Sequence, residues 1–392
     1  MTADVIVVGG GPAGAATALE LAKRGVAVAL VERAQFPRRK VCGEYLNGGA
    51  VAQLDALGSG AAVRARARPL LGLRLVPPQS APLELRFPVP ALALARADLD
   101  ALLLTGAREA GALVVRAHAE DVLFEDGRAA GIVARDEGGE RCRLRARFVV
   151  GADGSGSLIA RKLGLARTLR GARRFALGGH YRGLGDLGQH VEMYVGAGAY
   201  FALNPLDAER VNVMVVVRER QLAAWSGAVD EGMRGKALEL GRGRRSFENA
   251  ERLGERVSVG PLAFAVRDVV FPGALLAGDA AGFLNPFTGQ GVFLALRGGL
   301  DAAETIAAAL AAPEREAAAF RAYASRRASD LRARRRAARV VDALLEVPFL
   351  ARRAATRLRR FPDLADALLG ALSGASAPEG ALAPALLGRL LI

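Results

Sequence analysis

The chain has 392 residues, 52% of them apolar and only 5% aromatic, with a formal net charge of +14. That length and apolar content fit two or three packed units with sizeable buried cores. The positive charge is almost all arginine, since the lysines are only Lys23, Lys40, Lys162 and Lys236; basic residues are not interleaved with aromatics, so a nucleic-acid binder is not expected. Two cysteines, Cys42 and Cys142, cannot form a disulfide framework or a metal-type cluster, and a reducing cytoplasm is the expected setting. The first residues lack the basic start of a signal peptide. The uncharged run from Val5 to Leu19 is too short and too glycine-rich to span a bilayer.

In chain order, "DVIVV" (4–8) predicts a buried parallel strand, "GGGPAG" (9–14) a turn, the alanine-rich stretch to Gly25 a helix, and "VAVALVE" a second strand ending at Glu32. Gly9, Gly11 and Gly14 occupy the three places of G-x-G-x-x-G, around Pro12 and Ala13. The three glycines have separate jobs: a tight turn, a close backbone approach to a pyrophosphate, and close helix–strand packing. The helix N-terminus offers unpaired N–H groups to phosphates. Glu32 stands where a carboxylate accepts hydrogen bonds from ribose hydroxyls. Strand, glycine turn, helix and acid together predict a dinucleotide site. Next comes "FPRRKVCGEYL" (36–46), with Arg33, Arg38, Arg39 and Lys40 forming a basic cluster suited to phosphates.

Further on, "LRLVPPQSAPLELRFPVP" (73–90) predicts one or two strands, and "ARADLDALLL" (95–104) a helix led by Arg96. Residues 119–147 read as a three-stranded meander with turns at "EDG" and "EGG", and Cys142 on the third strand. "RARFVVGADGSGSLIARKLG" (145–164) is a second strand–turn–helix, with Asp153 and Gly154 at the turn. Residues 173–184, 190–196, 199–206 and 210–220 then predict an antiparallel sheet. "GALLAGDAAGFLNPFTGQGVFLALRGG" (273–299) is a third strand–turn–helix. From Pro313 the chain is helical and arginine-rich, broken at Pro348 and Pro362. Its basic faces are expected to be solvated, with peripheral contact to an anionic membrane as a second reading. Residues 372–384 read as a flexible linker.

These three strand–turn–helix units, in this order, resemble the FAD-dependent superfamily of geranylgeranyl reductases and para-hydroxybenzoate-hydroxylase-like monooxygenases over about residues 4–310. "FPRRKVCGEYL" resembles the reductase signature F-P-R-x-K-x-C-G-G/E. The resemblance implies an α/β fold: a discontinuous Rossmann-like FAD domain (1–72, 96–170 and 261–312), an antiparallel-sheet substrate domain (73–95 and 171–260) and a C-terminal helical region (313–392). It implies that FAD is held by Gly9, Gly11, Pro12, Ala13, Gly14, Glu32, Arg33, Arg96, Asp153, Gly154, Asp279, Gly289, Gln290 and Gly291. Asp279 bonds the ribityl chain, and the backbone at 289–291 faces the N1–C2=O2 edge of the flavin. Cys42 and Gly43 are implied beside the isoalloxazine, with Cys42 the candidate catalytic residue. His180 and Tyr200 are candidates for substrate contact.

With no second G-x-G-x-x-G, NAD(P)H is expected as a transient reductant and not a resident cofactor. No metal is expected. The expected substrate is a small apolar, lipid- or polyketide-like molecule, undergoing NAD(P)H-driven reduction of a carbon–carbon double bond; aromatic hydroxylation and electron delivery to a carrier are the alternatives. Halogenation is not expected, because the one tryptophan, Trp225, excludes the W-x-W-x-I-P motif of flavin halogenases and their catalytic lysine has no obvious counterpart.

Overall fold

The computed structural model describes residues 2–389 apart from 78–80, 168, 170–172, 197, 242–248, 263, 284–285 and 375–387; most of the expected linker at 372–384 lies outside the described residues. Strand β1 (Thr2–Val8), helix α1 (Pro12–Lys23) and β2 (Val28–Glu32) form the expected βαβ unit. After β3 (Tyr45–Leu46), α2 (Gly48–Ala56) and α3 (Gly60–Arg64) come β4 (Arg68–Val76) and β5 (Leu83–Ala93). Helix α4 (Arg96–Glu109) precedes the meander β6 (Leu113–Glu125), β7 (Arg128–Asp136) and β8 (Arg141–Gly151). Asp126 and Gly127 join β6 to β7, both with positive φ (47° and 74°), the backbone that two-residue hairpin turns require.

Next follow α5 (Leu158–Lys162), β9 (Ala166–Arg167), β10 (Arg174–Arg182), β11 (His190–Gly196), β12 (Ala199–Pro205) and β13 (Val211–Arg218). Then come α6 (Glu219–Ala224), α7 (Val229–Gly241), β14 (Glu251–Val259), β15 (Ala265–Val266), β16 (Val270–Phe271) and β17 (Ala274–Leu276). The chain finishes with α8 (Gly291–Ala311), α9 (Glu316–Glu346), α10 (Pro348–Arg360) and α11 (Pro362–Ser373).

Two large sheets organise the molecule. In the first, β1 lies parallel between β2 and β8, β17 adds in parallel beside β8, and β6–β7–β8 is the antiparallel meander. Val5 to Val8 are buried on both faces, which is why this strand reads as a continuous apolar run. The second sheet has the order β14–β10–β13–β12–β11–β4–β5–β3. The expectation of an antiparallel sheet needs one correction: β11 and β4 pair in parallel, because the intervening chain crosses to the first sheet and back. The sheet also takes in Tyr45 and Leu46, which sequence reasoning had assigned elsewhere; β3 pairs with Ala93 and Leu92 of β5.

The two faces of the second sheet have different neighbours. One face carries Phe201, Val213 and Val215 and packs on Met233, Ala237 and Leu240 of α7. The other carries Ala176, Met193, Tyr200, Met214 and Val216, and gathers Val41, Tyr45 and Phe287. Helices α10 and α11 cover β5, with Ala355, Leu358, Leu364 and Leu369 against Leu83 and Leu85.

Solvation of the C-terminal arginines holds only in part. Arg327 and Arg334 are buried, and Arg327 donates to the carbonyls of Gly278 (3.2 Å) and Leu294 (3.4 Å). The Tyr323 hydroxyl donates to Leu276 O at 2.7 Å, so α9 braces the third strand–turn–helix from behind. No helix among the described residues is long and apolar enough to cross a membrane.

Candidate active site between the two sheets

The glycines of the first motif divide as their spacing implies. Gly9 has φ +105°, and a Cβ there would sit 2.5 Å from Ala152 O. A Cβ on Gly14 would lie 1.8 Å from Gly9 O and 3.2 Å from the Ala152 Cβ. Both positions exclude a side chain because backbone already fills the space. Gly11 differs: the nearest atom to its Cβ position is Nη2 of Arg38 at 3.7 Å, so the turn is open on that side. Pro12 starts α1 and Ala13 is buried behind it, and no side chain caps the helix N-terminus. The open glycine and the uncapped N–H groups form a cradle for a phosphate. Glu32 accepts from Gly10 N and Ala34 N, both at 2.7 Å, which fixes its carboxylate against the turn; Arg33 beside it is exposed.

The other two motifs converge on the first. Gly9 abuts Ala152 and Asp153 of the second. In the third, Cβ atoms on Gly278 and Gly299 would meet Ala13 Cβ at 2.7 Å and Ala13 O at 2.4 Å. Segments some 140 and 270 residues downstream thus close on one turn. Asp153 accepts from Ser157 Oγ and from the N–H groups of Leu158 (2.6 Å) and Ile159 (3.2 Å). It is a cap for α5, and burial raises its pKa while these bonds oppose the rise. The Cβ position of Gly154 lies 3.9 Å from Lys40 Nζ.

Asp279 has no side-chain hydrogen bond among the described residues. Burial raises its pKa, against the pull of Arg96, Lys40 and Arg327. Lys40 is exposed at the surface yet partly ringed by protein. Loss of solvent, then Arg38 and Arg96, lower its pKa, and Asp279 and Asp100 oppose them. A carboxylate without a partner, among cations and beside the glycine turn, suits the hydroxyls of a polar ligand chain. Gly289 (φ +64°) packs on the Tyr45 ring, and Gly291 opens α8 with nothing near its Cβ position. The Gln290 side chain turns away, donating to Ala371 O (3.3 Å) and Leu372 O (3.0 Å) at the end of α11.

The thiol loop is the second half of the site. Cys42 Sγ accepts from Glu44 N at 3.3 Å and lies within electrostatic reach of the Arg96 guanidinium. Burial pushes its pKa up, with Arg96 and the Glu44 N–H opposing. Arg96 is buried and binds Asp100 through Nε (2.8 Å) and Nη2 (2.7 Å), and Arg38 joins the same carboxylate at 3.2 Å. Burial works against the charge of Arg96, but Asp100 and Cys42 outweigh it and the net shift is upward. This guanidinium is therefore committed to Asp100.

Sequence reasoning missed the device that holds this loop. His180, Asn212 and Asn204 are cross-strand partners on β10, β13 and β12, so they form one row on the inner face of the second sheet. Asn212 donates to Cys42 O (2.8 Å), and Asn204 donates to Gly43 O and Glu44 O (both 2.9 Å). His180 Nε2 lies 2.7 Å from Oε2 of Glu44, whose Oε1 accepts from Arg96 N at 2.9 Å. Of the two substrate candidates, His180 thus touches the thiol loop, and Tyr200 stacks edge-on against Phe287 at 5.1 Å. Alternation along the strands was the available signal: polar Asn204 and Asn212 fall on the face that otherwise carries Tyr200, Met214 and Val216.

Residues 2–338 match the model of the family described as "FAD binding domain". The chain belongs to this FAD-binding family. Among curated relatives of this FAD-dependent enzyme, digeranylgeranylglycerophospholipid reductase 1 of Methanopyrus kandleri is 30% identical, over 88% of this chain and 91% of that one. The 1H-pyrrole-2-carbonyl-[peptidyl-carrier protein] brominase of Pseudoalteromonas luteoviolacea is 27% identical over 78% of each chain. Among solved structures, a flavin-dependent brominase superposes with TM-score 0.83 at 24% identity, covering 99% of this chain and all of that one. The resemblance to the reductase and monooxygenase superfamily holds, and FAD is the cofactor. Halogenation is not expected from the tryptophan pattern, yet a brominase is among the proteins this chain resembles.

Proposed function

We propose that this FAD-dependent oxidoreductase uses NAD(P)H to reduce a carbon–carbon double bond in an apolar, lipid- or polyketide-like molecule. The observation that carries the proposal is the attachment of the Cys42 loop to the apolar inner face of the second sheet. The reductase-type thiol signature thereby shares a wall with the apolar cluster that includes Tyr200, Met214 and Tyr45. The likeness to a phospholipid reductase across most of both chains supports it.

In this reading the open side of Gly11, the N-terminus of α1 and Arg38 hold the pyrophosphate. Glu32 takes the ribose, Asp279 takes the ribityl hydroxyls, and the N-terminus of α8 faces the flavin. Bound FAD supplies hydride transfer. The Arg96–Asp100 pair keeps the thiol loop seated, and Tyr45 and Phe87, 5.5 Å apart, exclude water from the substrate side. NAD(P)H visits transiently. Peripheral membrane contact suits a lipid substrate, and Phe349 of α10, 60% exposed beside arginines, is its candidate anchor.

A second reading, oxygen-dependent halogenation or hydroxylation of an aromatic ring, is favoured by the likeness to the brominase. One experiment separates the two. The purified protein is mixed with NADPH and candidate substrates, with and without oxygen and bromide, and the products are weighed. Gain of two hydrogen atoms without oxygen supports reduction. Products that form only with oxygen, carrying oxygen or bromine, overturn it.

A further inference from the structure

Reduction of a carbon–carbon double bond needs a proton as well as a hydride, and no group discussed so far supplies it. We propose that His180, oriented by Glu44, is the proton donor; the inference rests on the reductive reading above.

Three observations carry it. First, Glu44 and His180 form a carboxylate–imidazole pair at 2.7 Å with side chains only 6% and 15% exposed. The other carboxylate oxygen is anchored by Arg96 N, so the acid is fixed and the imidazole turns to it. A carboxylate on one ring nitrogen sets the tautomer and the ring orientation, leaving the other nitrogen to exchange protons. Here Nε2 is the bonded nitrogen, and Nδ1 has no partner among the described residues.

Second, the pair is in the right place. Glu44 is two residues from Cys42 and bonds its sulfur through the main chain. His180 shares the inner face of β10 with Ala176 and Gly178, and the Met214 sulfur lies 2.4 Å from where a Gly178 side chain would begin. The imidazole therefore stands where the thiol loop meets the apolar wall.

Third, Glu44 adopts φ +55°, a left-handed backbone that a glutamate enters only against a steric penalty. A glycine would fit this position more easily, and such strain collects at functional sites. The carboxylate is what this conformation delivers.

The step balances. The double bond opens; one carbon receives a hydride with its electron pair from the reduced cofactor. Its neighbour receives the Nδ1 proton of the His180 imidazolium. The substrate gains two electrons and two hydrogens, the cofactor loses two electrons, and neutral imidazole regains its proton from water. Glu44 is a positioning residue throughout.

The chain has only three histidines, which makes the test practicable in the flavin-loaded protein. Nitrogen-15 NMR of histidine-labelled protein should show a downfield imidazole N–H resonance that vanishes in His180→Gln and moves upfield in Glu44→Gln. In anaerobic turnover with NADPH and an alkene substrate, His180→Gln should lower kcat by about 10²–10⁴-fold. Flavin content and KM should persist. Added imidazole should restore turnover to His180→Ala, a rescue that a purely structural residue would not show. Wild-type turnover in His180→Gln, or absence of the downfield resonance in the wild type, overturns this inference alone. Failure of the wild type to form any reduced product overturns the reductive reading with it.

Discussion

The glycine turn at 9–14 and the thiol loop at 42–44 approach the same site and are held in opposite ways. The turn is held by main chain. Gly9 and Gly14 are fixed by backbone atoms that leave no room for a methyl group, and its partners Ala152 and Ala13 contribute little beyond their smallness. The loop is held by side chains from a distant sheet: Asn204, Asn212 and His180 reach back some 136 to 170 residues to grip three consecutive residues. A turn set by steric exclusion is rigid and tolerates no side chain at Gly9 or Gly14. A loop set by polar side chains can be loosened one bond at a time.

The largest effect is expected for Gly14→Ala. A Cβ 1.8 Å from Gly9 O cannot be relieved by a rotamer change, and the loss should exceed about 3 kcal/mol, read as a lowered urea midpoint with an unchanged slope. Asn204→Leu comes next. It leaves Gly43 O without a donor and Glu44 O with only that of Leu94 N (3.1 Å), and should cost about 1–3 kcal/mol. Iodoacetamide should also alkylate Cys42 faster than in the parent, measured in a Cys142→Ser background.

Asp279→Asn sharpens the contrast on the cofactor side. Burial holds the Asp279 pKa above the ordinary carboxylate value in the flavin-free protein. The folded chain then binds that proton more tightly than the unfolded chain. The stabilising contribution is full below the unfolded value and is lost as pH rises through the folded one. The variant should therefore lose less Tm than the wild type over that rise, while its affinity for FAD falls about tenfold. Gly11→Ala has the smallest expected effect on folding. Its Cβ enters open space, so stability should stay within about 0.5 kcal/mol while flavin retention drops.

The same contrast explains what could be read from sequence. The glycine turn, the meander, the strands of the second sheet and the third glycine loop follow from local spacing, because backbone conformation at each depends on its own residues. The Glu44–His180 pair could not be read that way, since neither residue marks the other across 136 positions. The parallel pairing of β4 with β11 and the burial of Arg327 behind Gly278 are likewise set by chain crossing and packing. Arg96 was singled out by its place at the start of α4. Its commitment to Asp100 follows from i,i+4 spacing on that helix and was legible in principle.

On this reading three distant strand–turn–helix units close on one FAD. The most direct test is the absorbance of flavin released by denaturing the purified or FAD-reconstituted wild-type protein, counted per chain. About one FAD per chain is the expected result. A colourless protein that takes up none would contradict it.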